Sequence, residues 1–168
     1  RDINYLVALR SLVANGSTAI AVRLEVEDLL LPVGLDLKIR NLLGQIGAGG
    51  LPLHILIDCR SLVGQDVAKL TNVVMAVLPV LRLLSPARLV LSASSMVADT
   101  SGFKRNSMNR VKRNDLSLWI AVCHTGHTDV SFGDYGVIHP DYVDLDPKVI
   151  KPTAKIRYTT GSEWIFLK

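Results

Sequence analysis

Four short runs rich in apolar residues recur along the chain at 18–24 (TAIAVRL), 51–59 (LPLHILIDC), 88–93 (RLVLSA) and 129–134 (DVSFGD). Between them lie segments whose apolar residues repeat at helical spacing. This succession restricts the possible folds more than any other feature. Strands that are apolar on both faces and separated by helices fit a parallel sheet covered on both sides, because each right-handed crossover lays a helix on the sheet. The expected class is α/β, with parallel strands alternating with helices. Helices are predicted over 2–15, 25–31, 35–46, 65–84 and 115–124, with Pro32 closing the second. Gly44, Gly47, Gly49 and Gly50 follow a helix and precede a strand, the reverse of a phosphate-loop context, so they read as a helix stop. The tail differs. Two β-prone runs, 155–160 (KIRYTT) and 163–167 (EWIFL), flank Gly161-Ser162 and predict a β-hairpin.

No linker, repeat or low-complexity segment divides the 168 residues, so residues 1–168 read as a single α/β domain. An eight-unit barrel typically takes about 250 residues. Four units plus a hairpin therefore suggest the carboxyl-terminal half of a TIM-barrel-like fold; an open doubly wound sheet is the alternative. The opening at Arg1, with a helix and no strand before it, favours a fragment of a longer chain. A composition of 49% apolar and 20% charged residues excludes disorder. Apolar stretches are broken before they reach membrane-spanning length, and no signal peptide is recognisable. A cytoplasmic location without membrane contact is expected, with Cys59 and Cys123 as buried thiols. The net charge of +4 permits an anionic partner without requiring one.

Both architectures gather functional groups at the carboxyl ends of the parallel strands. That rule selects Arg23 and Glu25, then Asp58 and Arg60, then Ser92, Ser94 and Ser95, then Asp134, Tyr135 and His139. Arginine forks suit phosphate or carboxylate, and a carboxylate beside an arginine stays ionised and can serve as a base. Asp58, Asp134 and His139 are the candidate catalytic groups. Arg23, Glu25, Arg60, Ser94 and Tyr135 are candidates for substrate binding. The competing explanation is that these groups satisfy one another and hold the loops. In Phe132-Gly133-Asp134-Tyr135-Gly136, two glycines flank an acid and an aromatic directly after a strand. Such a piece either presents both side chains to a ligand or makes a tight turn.

The segments FGDYGVIHPDY at 132–142 and AKIRYTTGSEWIFLK at 154–168 resemble the closing signature of the Beta-protein family, named after the beta gene of a satellite phage. The matching positions are Phe132, Gly133, Asp134, Tyr135, Gly136, His139, Pro140, Ile156, Arg157, Tyr158, Thr159, Thr160 and Trp164. Upstream, VRLE at 22–25, LIDC at 56–59 and LVLSASS at 89–95 look like the family's strand ends. Family members tend to follow the last serine with an aromatic and a proline, where this chain has Met96-Val97. The resemblance implies a barrel-like protein about twice this length, found in prophages, satellites and mobile islands. It also implies a setting similar to phage-defence or toxin–antitoxin cassettes. Arg157, on a strand after the fourth unit, joins the substrate-binding candidates, while Tyr158 and Trp164 either share that mouth or cover the barrel bottom.

Five basic residues fall within ten positions, Lys104, Arg105, Arg110, Lys112 and Arg113. They form a candidate nucleic-acid-binding loop, although Phe103 alone makes a poor stacking platform and a solvated loop explains them equally. Cys123, His124 and His127 lack a second ligand pair, so no metal is expected. His54 reads as a core histidine, and no cofactor is implied. The function expected is that of a mobile-element accessory protein in phage defence or toxin control. It would use an anion-accepting strand-end pocket and a protein partner, whether a missing amino-terminal half, a second copy or a cassette-encoded protein. The alternatives are a hydrolase or transferase on a phosphorylated or nucleotide-like substrate, and a nucleic-acid-binding module.

Overall fold

Leu6, Leu9 and Val13 of the first helix, α1 (Ile3–Ala14), pack against the main core in the computed structural model, which describes residues 3–136, 139–140 and 156–167. The strand β1 (Ile20–Glu25) follows, and then the one-turn helix α2 (Val26–Leu29) and α3 (Leu35–Gln45). The glycine-rich stretch after α3 is a helix stop, as its context predicts. Gly47 takes φ 74, its N–H donates to the Gly44 carbonyl at 3.2 Å, and the Ala48 N–H donates to the Leu43 carbonyl at 2.8 Å. That pair of bonds closes a helix only if the residue between them is left-handed, which glycine adopts at least cost.

The strand β2 (Leu53–Ser61) leads to α4 (Val67–Arg82). Asp66 caps α4 by accepting from the N–H groups of Ala68 and Lys69 at 3.0 and 3.2 Å. The remaining elements are β3 (Arg88–Ser94), β4 (Met108–Lys112), α5 (Asn114–His124), β5 (Val130–Asp134), β6 (Ile156–Thr159) and β7 (Glu163–Leu167). The fold is α/β, with a four-stranded parallel sheet in the order β1-β2-β3-β5 and helices between its strands. The order runs one way, without the reversal that defines a doubly wound sheet. Among the described residues, β1 pairs only with β2 and β5 only with β3.

One-way order has a consequence for the two faces. Successive right-handed crossovers keep the helices on the same side. Leu53, Ile55 and Ile57 of β2 and Leu89 and Leu91 of β3 are buried, together with Val74, Val77 and Leu78 of α4 and Leu118 and Val122 of α5. Full burial of each such side chain contributes about 1.5–3 kcal/mol. The alternate residues, His54, Leu56 and Val90, are only half-buried. The expectation of a sheet covered on both faces is therefore corrected: among the described residues helices cover one face, and the other is partly open. On that open face, register places Glu25 opposite Asp58, Asp58 opposite Ser92, and Ser92 opposite Gly133.

The tail forms the expected hairpin, β6 against β7, closed by the Thr160 N–H donating to the Glu163 carbonyl at 2.8 Å. Lys155 and Lys168, at the ends of that motif, lie outside the described residues. The hairpin gains a third strand that the sequence pattern did not predict. Residues 108–112, read as part of a solvated basic loop, are β4, antiparallel to β7. Met96, Trp164 and Phe166 form a second small core with Val97, Phe103 and Val111. Met96 and Val97 directly follow β3, so this sheet packs near the carboxyl end of that strand. Trp164 thus covers the mouth end and not the barrel bottom, and Tyr158 is exposed. The fully buried Met96 occupies the place where family members tend to carry an aromatic residue.

Candidate functional site

In β1, Val22 and Leu24 turn toward the helices, so Arg23 and Glu25 must turn to the open face. In β2 the same alternation carries Asp58 and Arg60 to that face, but with an irregularity. The β2–β3 register shifts between Asp58 and Ser61, and Arg60 takes φ 52, a left-handed conformation that costs a residue with a Cβ about 1–2 kcal/mol. The Arg60 N–H donates to Asp58 Oδ1 at 2.9 Å.

Asp58 is the anchor of the group. It is 1% exposed, which for a carboxylate demands several donors. Arg23 supplies Nε at 2.6 Å and Nη2 at 2.5 Å to Asp58 Oδ2, and the Tyr135 hydroxyl donates to the same oxygen. Arg23 Nη2 lies 3.3 Å from Tyr135 Oη. Glu25 Oε1 lies 3.3 Å from Arg23 Nη2 and 3.3 Å from Arg60 Nη1. Side chains from β1, β2 and the end of β5 thus meet at the carboxyl ends of the strands.

The electrostatics follow from this packing. Burial pulls the Arg23 guanidinium down, and the charge and hydrogen bonds of Asp58, with Tyr135 and Glu25, outweigh it and hold it above its ordinary value. Burial, then the hydrogen bond to Asp58, pushes the Tyr135 phenol up to about 12, so it stays a donor at neutral pH. Burial, then the Asp58 charge, pushes the Cys59 thiol up to about 12 as well, which makes it unreactive. Cys123, expected to be buried, is only partly so.

Asp134 and Tyr135 are adjacent, so their side chains leave the strand on opposite sides. Tyr135 reaches Asp58, whereas Asp134 accepts from the Gly136 N–H at 2.8 Å and lies 3.8 Å from Arg113 Nη2. Arg113 belongs to a second cluster. Its guanidinium donates to Asp115 Oδ2 at 2.9 and 3.3 Å and sits 5.7 Å from the Phe132 ring and 5.6 Å from the Trp164 ring. The Ser95 hydroxyl donates to Asp115 Oδ1 at 2.5 Å and accepts from the Asp115 N–H at 2.9 Å. Ser94 is buried, and its hydroxyl accepts from the Met96 N–H at 3.0 Å, holding the turn into the second core. The Trp164 Nε1 has no hydrogen-bond partner among the described residues.

The basic run does not form one surface. Arg113 is committed to Asp115, and Arg110 pairs with Glu163 at 2.6 Å across β4 and β7. Lys104, Arg105 and Lys112 are exposed. Arg157 lies on exposed β6 opposite Phe166, in the antiparallel sheet. His139 is half-buried beyond β5, and Val137, Ile138, Asp141 and Tyr142 of its motif lie outside the described residues. Among the described residues, no group of three or more His, Cys, Asp or Glu could hold a metal ion, and no helix is long and apolar enough to cross a membrane.

The mouth brings VRLE, LIDC and the tyrosine of FGDYG together, and the family model described as Beta protein matches residues 1–168, the whole chain. The chain belongs to the Beta protein family. No curated protein and no solved structure matches it. In this Beta protein, the glycine of Phe132-Gly133-Asp134 answers to packing, since a Cβ there would lie 2.9 Å from Val90 Cγ1. The Beta protein mouth can bind and orient an anion through its arginine donors. A cavity of about 680 Å³ adjoins Arg23 and is lined by Leu24, Leu31, Leu35, Lys38 and Ile39, among others.

Proposed function

We propose that this Beta protein family member is a cytoplasmic accessory protein of mobile elements, acting in phage defence or toxin control by receiving an anionic group of a protein partner at its strand-end mouth. The observation that carries this proposal is the pairing of Arg23 and Arg60, 49% and 40% exposed, over the buried Asp58. Half-exposed guanidinium forks that are already oriented lose little freedom when they take a carboxylate or phosphate. Beside them stand Leu30, Leu31, Val33 and Leu37, at 60%, 72%, 91% and 59% exposure. Exposed apolar groups of this kind suit a protein surface better than a small polar substrate.

Hydrolysis or group transfer finds less support. A general base needs a lone pair facing its substrate. Asp58 already accepts from Arg23, Tyr135 and the Arg60 N–H. The test is an NMR titration with inorganic phosphate and with N-acetylglutamate amide. Saturable shifts are expected at the amides of Arg23, Glu25 and Arg60, with Arg60→Met weakening binding about tenfold, roughly 1.4 kcal/mol, and Arg110→Met leaving it unchanged. A wild-type protein that responds to neither anion, or an Arg60→Met variant that responds like wild type, would overturn the proposal.

A further inference from the structure

Two carboxylates serve the mouth, and they are held differently. Asp58 is buried and grips Arg23 at 2.5 and 2.6 Å. Glu25 is 40% exposed, and its Oε1 sits 3.3 Å from Arg23 Nη2 and 3.3 Å from Arg60 Nη1. One oxygen shared between two guanidinium forks at long distance uses neither fork fully, and exposed pairs of this geometry hold weakly. Resting on the mouth as an anion receiver, we propose that Glu25 is a built-in occupant of the ligand's place, and that the ligand is a carboxylate, an acidic side chain of the partner, which displaces it.

Charge arithmetic selects the class. Arg23 and Arg60 carry two positive charges, and Asp58 and Glu25 carry two negative ones. With Glu25 displaced, one positive charge is left uncompensated. A monoanionic carboxylate restores neutrality with the shape of the group it replaces, whereas a doubly charged phosphate would leave an excess negative charge above a buried aspartate. Displacement is local, because Glu25 lies where β1 ends and α2 begins and its backbone N–H is held separately by Asp28 Oδ2 at 3.0 Å. Removing the Glu25 charge should therefore improve binding, whereas a Glu25 that helps to hold the ligand would make the same change harmful.

The same NMR titration decides the matter with Glu25→Gln, which keeps the side-chain length and an acceptor oxygen. The variant is expected to bind N-acetylglutamate amide several-fold more tightly than wild type, approaching tenfold, with a smaller gain for inorganic phosphate. Unchanged or weaker binding of N-acetylglutamate amide by Glu25→Gln, with Arg60→Met still defective, would overturn the displacement mechanism and leave the anion-receiving mouth standing. A larger gain for phosphate than for N-acetylglutamate amide would overturn the ligand class. No response to either anion from both wild type and Glu25→Gln would overturn the mouth as well. A thermal melt of Glu25→Gln within a few degrees of wild type shows that the fold is intact; a variant that melts far lower sinks the claim that displacement is local.

Discussion

The molecule contains two arginine–aspartate pairs of the same chemistry in opposite surroundings. Asp58 and Asp115 are both 1% exposed in their side chains, but Arg23 is 49% exposed and Arg113 only 11%. Arg113 lies between the rings of Phe132 and Trp164 and beside Ser95, so its pair joins α5, β5 and the antiparallel sheet. Arg23 faces the open side of the parallel sheet with solvent on its outer edge. The sealed pair is a fastening; the open pair keeps donors available. Burial of both partners, more than the identity of the pair, separates the structural role from the binding one.

Breaking each pair at its aspartate should expose that difference. Asp115→Ala leaves the Arg113 charge sealed among rings and is expected to cost about 3–5 kcal/mol in a denaturant titration. Asp58→Ala frees an arginine that can turn to water, and a loss of about 1–3 kcal/mol is expected. Equal losses would mean that exposure of the arginine does not distinguish the two sites.

A smaller effect is expected at Tyr135, which ties the end of β5 to Asp58. Tyr135→Phe should destabilise the protein by about 1–2 kcal/mol at neutral pH, the usual value of a hydrogen bond to a charged group. The phenol is pushed up from 10.0 to about 12 in the folded chain, so the folded state retains its proton after the unfolded state has lost it. The contribution is then complete below about pH 10 and declines as pH rises toward 12. Denaturant midpoints of wild type and Tyr135→Phe should converge over that interval. A constant difference would show that the hydroxyl is not the source.

The parallel sheet was legible because its strands carry continuous apolar runs, such as Leu53–Ser61, that few other structures could bury. The strand-end rule found Arg23, Glu25, Asp58, Arg60 and Tyr135 because strand tips are fixed once the strands are. It could not separate Asp134 from Tyr135, since that depends on where β5 stops alternating. The strand β4 escaped notice because Met108–Lys112 holds only two apolar residues among three polar ones, and its partner β7 lies some fifty positions later. Arg113 was hidden in the same way. In sequence it closes a basic run, and only the packing of Phe132 and Trp164 around it reveals a buried counter-ion for Asp115. The available signal was an aspartate in the first turn of an apolar helix two residues after an arginine.

The least energetic test concerns why a residue with a Cβ occupies φ 52 at position 60 of the open site. Two substitutions divide the question. Arg60→Ala keeps the strained backbone and loses the Glu25 contact, whereas Arg60→Gly loses the same contact and relieves the strain. Glycine is more flexible in the unfolded chain, which offsets part of that relief by about 0.4–1 kcal/mol. Arg60→Gly should therefore be more stable than Arg60→Ala by at most about 1 kcal/mol and close to wild type, while failing to bind the anion. Stability without binding is the signature expected where a side chain is kept for a ligand at the expense of the backbone. If Arg60→Gly were clearly less stable than Arg60→Ala, the left-handed bulge would be relaxed in the native chain, and the open pair would lose the one strained element that sets it apart from the sealed one.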